Sequence, residues 1–262
     1  MIETNGSDHL ASGTVAECWR YPVKSFQGIR QDRLTVGPTG VDGDRTFGLI
    51  DVDVDRLLSA KRTADLLDAW ATDTTITLPN GDQFAVDDPG VDAALTAWLG
   101  RPIRFARASE SDPVSYQMTF NPPEDTAELF DIPSPVGSFL DLAHVHLITT
   151  ATLDACARQR PDLDWDVRRF RPNVLIEIDG PAFVEQTWLG RRIEVGGATL
   201  SIDSPTVRCA MPLRAQPDDL HRQPGLFRAM GELNDVFPNH LGVYCSVVVP
   251  GEVAQGDPVT VT

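Results

Sequence analysis

Lysine is nearly absent from this chain: Lys24 and Lys61 stand against 20 arginines in 262 residues. Other things are missing too. No apolar run reaches the ~18–20 residues that a membrane-spanning helix needs. No Gly-x-Gly-x-x-Gly fingerprint announces a dinucleotide site. The four cysteines, Cys18, Cys156, Cys209 and Cys245, form no Cys-x-x-Cys pair, which excludes zinc-ribbon and iron–sulfur spacings. They read as free thiols of a cytoplasmic protein. Positive charge is scarce, with a net charge of −16. That field repels nucleic acid and anionic membranes, so neither is expected as a partner. Few lysines and many aspartates suit the surface of a protein in a high-salt cytoplasm, where the Debye length is about 3 Å near 1 M salt. Against this background any cluster of basic side chains stands out.

What is present reads as many short strands with a few helices. The N-terminal "MIETNGSDHLASG" is polar and acidic, and residues 1–12 are expected to form a disordered lead. "GTVAECWRYPVKS" alternates as a strand ending at Pro22, and "TTITLPNGDQFAV" predicts a hairpin turning at Asn80-Gly81. "DDPGVDAALTAWLG" predicts a helix capped by Asp88, with Pro89 in its first turn and Gly100 closing it. Residues 108–135 hold five prolines and predict a loop or linker. Beyond it, "HVHLITTATLDACARQRP" is a strand feeding a helix at Thr149 or Thr150. "IEVGGATLSI" is a hairpin, "QPGLFRAMGELND" a helix, and "LGVYCSVVVPGEVAQGDPVTVT" a closing pair of strands. The expected architecture is mainly β with helical additions (α+β), in two lobes: an N-terminal β-barrel-like domain over 13–107 and a second β-barrel domain over 136–262.

Four places could carry chemistry. Lys24-Ser25 ends a strand, with Asp44-Arg45 a strand later. Thr149-Thr150 starts a helix, where unpaired N–H groups favour an anion. "RRFRPN" gathers Arg168, Arg169, Arg171 and Asn173, and Arg208 directly precedes Cys209. Each has a plain alternative: a solvated strand tip, a surface ion-pair network with Asp162, Asp164 and Asp166, or a buried thiol acting as a small hydrophobe. His144 and His146, one residue apart, lack a third ligand at suitable spacing. Together, a thiol beside an arginine and scattered phosphate-binding cations would suit a phosphorylated, metal-bearing small molecule.

The markers "GTVAECWRYPVKS", "GDRTFGLID", "LLSAKR", "HLITTATL", "RRFRPNVLIE", "SPTVRCAM" and "LGVYCSVVVPGEVAQGDPV" occur in this order. In that order they resemble the MOSC family (molybdenum cofactor sulfurase C-terminal domain), preceded by its N-terminal β-barrel domain. The resemblance implies a molybdenum cofactor, Mo-molybdopterin, with Cys209 as its thiolate ligand and catalytic residue. It implies cofactor contacts from Lys24, Ser25, Arg45, Thr149, Arg171, Asn173, Arg208 and Tyr244. Phe26 stands where amidoxime-reducing members carry cysteine, and "AMPLRAQPDDLHRQPGLFRAM" replaces their acidic turn after the cysteine.

The function so implied is a molybdenum-dependent oxidoreductase that reduces N-hydroxylated or other N–O small-molecule substrates by two-electron oxygen-atom transfer. A separate protein, a ferredoxin or flavoprotein, would supply the electrons. The alternatives are a non-catalytic carrier delivering molybdenum cofactor or sulfur on Cys209, and a salt-adapted β-barrel binding protein without metal. A pyridoxal phosphate role is disfavoured, because a Schiff base needs an uncharged lysine and the surroundings of Lys24 favour ammonium.

Overall fold

The computed structural model describes residues 10–108, 114–119 and 128–262. Its largest element is a closed barrel of seven strands. Around the barrel these are Ala11–Arg20, Val174–Glu177, Val145–Thr149, His240–Val249, Ala198–Val207, Arg192–Val195 and Pro258–Val261, which pairs back with Ala11–Arg20. Alternation decides the inside: Val15, Leu147, Ile176, Ile193, Leu200, Val243 and Val259 share one buried core, as period-two patterning requires. Val145–Thr149 and Val174–Glu177 run parallel; the helix Thr150–Gln159 (α2 in chain order, after Val91–Leu99, α1) lies between them in sequence. Parallel strands need such a crossover.

The second lobe is built on a five-stranded sheet, ordered Ile103–Arg107, Phe47–Asp51, Arg56–Leu57, Ser115–Met118 and Phe130–Pro133. A three-stranded sheet, Trp70–Ala71, Thr75–Thr77 and Gln83–Ala85, joins it. The expected hairpin is there, with Gly81 at φ +89°. Leu49, Leu66, Leu67, Ile76 and Leu95 fill the core of this lobe. Mainly β with helical additions, in two lobes, is the observed class.

Several local expectations need correction. Residues 1–9 of the expected lead lie outside the described residues, and Ala11 and Ser12 already belong to a barrel strand, paired with Val261 and Thr260. The stretch 108–135 is not a plain linker. Although 109–113 and 120–127 lie outside the described residues, Ser115–Met118 and Phe130–Pro133 pair antiparallel and extend the sheet. Such short, proline-flanked strands gain their order from distant partners, not from local pattern. Helix α1 starts at Val91 with Gly90 at its N-cap, while the Asp88 carboxylate accepts the Gly90 N–H at 2.7 Å; Asp-Pro-Gly makes a turn ahead of the helix. The chain closes with three strands, since Gly251–Ala254 pairs separately with Arg33–Gly37. The division at 108–135 also does not follow the lobes: Ala11–Arg20 closes the barrel of the other half.

The N-terminus of α2 meets a carboxyl group inside the protein. Thr149 caps the helix by accepting the Thr152 N–H. The fully buried Glu185 carboxylate accepts from the Thr149 and Thr152 hydroxyls at 2.7 and 2.6 Å and from the Gly242 N–H at 3.2 Å. Burial pushes its carboxyl above the ordinary 4.5, against those hydrogen bonds. Thus the native state holds a proton that the unfolded chain releases first. The stabilisation from this group is full below pH 4.5 and declines as pH rises through the higher folded value. Glu185→Ala leaves three donors without their acceptor and is expected to cost about 2–4 kcal/mol in urea unfolding. The gap from wild type should narrow above pH 4.5. A variant as stable as wild type at every pH would contradict this account.

Candidate functional site

One cleft lies where the barrel meets the second lobe. It encloses about 820 Å³ of empty space, its open mouth included. Five cations line it, Lys24, Arg45, Lys61, Arg171 and Arg208, with Asp141 as the one carboxylate among the described lining residues. In a chain of net charge −16 this is a local reversal of sign. Ser25, Asn173, Cys209 and Tyr244 line the same cleft.

The elements explain the convergence. The barrel strand Ala11–Arg20 delivers residues 21–26 to the cleft, and Val174–Glu177 is preceded by Arg171 and Asn173. Ala198–Val207 runs out into Arg208 and Cys209, and Tyr244 and His146 stand on paired barrel strands. Arg45 leads into Phe47–Asp51 of the other lobe. Three of these side chains hang from strained backbone: Ser25, Arg45 and Arg171 have φ of +70°, +46° and +56°. Non-glycine residues seldom sit there, at a cost of about 1–3 kcal/mol each where they do, and such strain clusters at functional sites. Gly242 matters for a different reason. With φ at +83°, a Cβ there would lie 2.6 Å from His146 Nε2 and from the Leu147 carbonyl oxygen, so only glycine lets His146 seat itself.

Tyr21 is the hinge of the cationic side. Its hydroxyl donates to the Pro172 carbonyl at 3.0 Å, and the guanidinium groups of Arg45 and Arg171 each stand 4.1 Å from its ring centroid. Asp44, buried beneath, accepts from Arg45 Nη1, from Asn173 Nδ2 at 2.9 Å and from the Tyr21 N–H at 2.8 Å. Arg171 Nη1 donates to the Phe26 carbonyl at 2.6 Å, and Arg208 Nη2 to that of Phe170 at 2.8 Å. Arg171 Nη2 and Arg208 Nε are buried with no partner. Burial, with Arg45 adjacent, brings Arg171 down to about 10, still charged at neutral pH. Burial, with Arg208 and Arg45 nearby, holds His146 well below the ordinary 6.5, so its ring is neutral. The ring is engaged at both nitrogens, with the Arg171 carbonyl and Arg208 Nη1, and it is the unmet guanidinium N–H groups that prepare the cleft for an anion.

On the other side both lysines of the chain reach one carboxylate. Lys24 Nζ lies 2.5 Å from Asp141 Oδ1, and Lys61 Nζ 2.7 Å from Oδ2. Both ammonium groups stand over the buried Tyr116 ring, at 4.4 and 4.0 Å from its centroid. Burial brings Lys24 down to about 8, with Asp141 opposing and Lys61 adding to the shift. Burial would raise Asp141, yet the two lysines outweigh it and hold the carboxyl well below the usual range.

Cys209 differs from the other thiols. Cys18 and Cys245 are sealed in the barrel core and Cys156 in the core under α2; burial pushes Cys18 up to about 11 and Cys156 up to about 12. Cys209 is part-exposed in the cleft. Among the described residues no three His, Cys, Asp or Glu side chains group closely enough to hold a metal ion.

Of the residues expected at one site, the structure brings together Lys24, Ser25, Arg45, Arg171, Asn173, Arg208, Cys209 and Tyr244. It does not bring Thr149, whose hydroxyl is fully buried and committed to Glu185; that helix start is occupied by an internal carboxyl group and not by a ligand. Arg168 pairs with Asp166, one of the expected surface partners, and also with Asp218. Arg169 is fully buried, holding Asp164 and the carbonyls of Pro212, Arg214 and His221, so it fixes the segment after Cys209. Nothing in the sequence marks Tyr21, Tyr116 or Asp141 as site residues; His146 lacks the third ligand that would single it out, and Lys61 goes unassigned there although its rarity is a signal.

A family model described as the MOSC N-terminal beta barrel domain matches residues 12–111, and one described as the MOSC domain matches residues 136–260. A search of curated proteins gives no match. Among solved structures, the YuaD protein of Bacillus subtilis is 13% identical with a TM-score of 0.44, over 95% of each chain. YiiM of Geobacillus stearothermophilus is 15% identical with a TM-score of 0.36, over 57% of this chain and 72% of that one. These likenesses are too distant to bear on function.

The neutral His146 gives a pH test. Its folded value is depressed, so the unfolded chain takes up a proton first and stability is lost as pH falls below 6.5. Between about pH 7.5 and pH 5, urea unfolding should show wild type losing roughly 1–2 kcal/mol more than His146→Gln. Equal losses would mean that the imidazole titrates freely.

Proposed function

Because the chain belongs to the MOSC family, with both its N-terminal β-barrel domain and its MOSC domain, we propose that the cleft holds Mo-molybdopterin. On this reading the protein is a molybdenum-dependent oxidoreductase acting on N-hydroxylated or other N–O small molecules. The observation that carries the reading is the meeting of one accessible thiol with five cations in a strongly acidic chain.

The residues present suit the group. Arg171 Nη2 and Arg208 Nε offer unused N–H donors to an anionic phosphate or pterin. The Ser25 hydroxyl oxygen accepts the Ala60 N–H at 3.0 Å and can still donate its own proton. Cys209 Sγ is a soft donor of the type that suits a sulfur-bound metal. It is the single protein ligand in this reading, and the pterin dithiolene would supply further sulfur to the metal. Molybdenum bound there would supply two-electron oxygen-atom transfer.

The chain's own part is binding, orientation and proton placement. Burial raises the phenols of Tyr116 and Tyr244 well above their ordinary value, so Tyr244 Oη keeps its proton and can donate a hydrogen bond to a substrate oxygen. Met118, Leu140, Phe170 and Met211 give the cleft an apolar wall, which strengthens every polar contact made there. Cys209 is part-exposed and lines the same cleft as the five cations, which supports an oxidoreductase; a carrier would need the sulfur to be open to a second protein. The cysteines are too dispersed to build a redox cluster, so a separate ferredoxin or flavoprotein would return the electrons.

Metal analysis of protein from a host that makes the cofactor tests this. Wild type should hold molybdenum, and Cys209→Ala should lose it by roughly tenfold or more. Full retention in the variant would make the thiol structural.

A further inference from the structure

Lys24 is fully occupied as it stands. Its ammonium donates to the Phe139 carbonyl at 2.7 Å and to Asp141 Oδ1 at 2.5 Å, and its remaining face lies over Tyr116. An ammonium has three donors. No external anion can take a hydrogen bond from Lys24 while Asp141 keeps its place.

Asp141 is the more exposed partner of the pair, although the Tyr116 hydroxyl also donates to its backbone carbonyl at 3.5 Å. It sits outside regular structure, just ahead of the barrel strand Val145–Thr149, and its side chain is 30% exposed while Lys24 is 5% exposed. The next residue, Leu142, is 53% exposed. Asp141 has a second partner as well: Lys61 Nζ holds the other oxygen at 2.7 Å, so a carboxylate that releases Lys24 is still paired. Lys61 itself keeps the Tyr116 ring beneath it at 4.0 Å.

We infer that Asp141 is an exchangeable internal counter-ion that selects what Lys24 binds: a dianionic phosphate monoester displaces it onto Lys61, and a monovalent anion does not. The selection follows from charge and tethering. A carboxylate ligand would replace one carboxylate by another with no gain in charge, against a competitor tethered at an effective concentration of order mM or more. A dianion brings an extra charge to a buried ammonium flanked by Lys61 and Arg45, which repays the exchange. Asp141 is therefore a specificity-determining residue. The inference rests on the anion-binding reading of the cleft given above.

The scarcity of lysine supplies the probe. A carbon-13 label at lysine Cε gives two signals, since the chain has two lysines. The full chain, prepared from a host that cannot make the cofactor, is titrated near neutral pH with inorganic phosphate and, separately, with formate at matched ionic strength. In wild type, phosphate should move the Lys24 signal saturably and formate should leave it in place. Asp141→Asn should bind phosphate roughly 10- to 100-fold tighter and should also respond to formate. The phosphate-bound Lys24 shift should be the same in both proteins, because in both the residue at 141 has left it. Mere removal of a nearby charge would raise affinity but leave those bound shifts different, and that outcome overturns the exchange. Equal phosphate affinities overturn it too. Silence of Lys24 towards phosphate in both proteins overturns it and removes Lys24 from the cofactor site. Molybdenum retention in wild type and its loss in Cys209→Ala would stand untouched by the first two failures.

Discussion

Cationic side chains buried between two lobes must be balanced, and two aspartates perform that task here. Asp44 sits beneath Arg45 and Asn173, and Asp141 bridges Lys24 and Lys61. An isolated buried charge costs several kcal/mol, so neither lobe could present its basic residues to the other without these partners. The balance is incomplete by design of the geometry. Arg171 and Arg208 keep unmet N–H groups, and the cleft retains more positive than negative side chains. That surplus is what an anionic ligand would complete.

The barrel sets the positions that the charges need. Its closure by Ala11–Arg20 carries Tyr21, Lys24 and Ser25 from the first strand to a place beside residues drawn from the second half of the chain. Tyr21 then ties the two halves together, donating to the Pro172 carbonyl while its ring lies against Arg45 and Arg171. Positive φ at Ser25, Arg45 and Arg171 shows the backbone bent to aim these side chains. Packing of the surrounding cores holds that strain in place.

The thiols divide by the same logic. Three are sealed in apolar cores, where burial stabilises the neutral form and makes them inert. Cys209 alone reaches the cleft, on the run-out of a long barrel strand, with the following segment pinned by fully buried Arg169. An arginine that reads in sequence as part of a surface network thus acts as a pillar behind the site.

Strand alternation, the Asn80-Gly81 turn, the helix start at Thr149 or Thr150 and the amphipathic stretch around Leu226 and Met230, helical over Gly225–Leu233, were legible because each is local: neighbours in sequence settle side-chain direction. The ordered MOSC markers likewise named eight residues that share the cleft. Thr149 misled for a physical reason, since nothing near it in sequence reveals that Glu185 occupies its helix start. Tyr116 lay hidden in a proline-rich stretch whose two strands pair with each other and join the sheet through Tyr116 opposite Leu57, distant in sequence. The residues by themselves determined the β-rich class, the net negative charge and the rarity of lysine. Only the tertiary structure decided that both lysines meet on Asp141, because that contact joins side chains 117 and 80 positions away from it, and long-range pairing leaves no periodic trace in the chain.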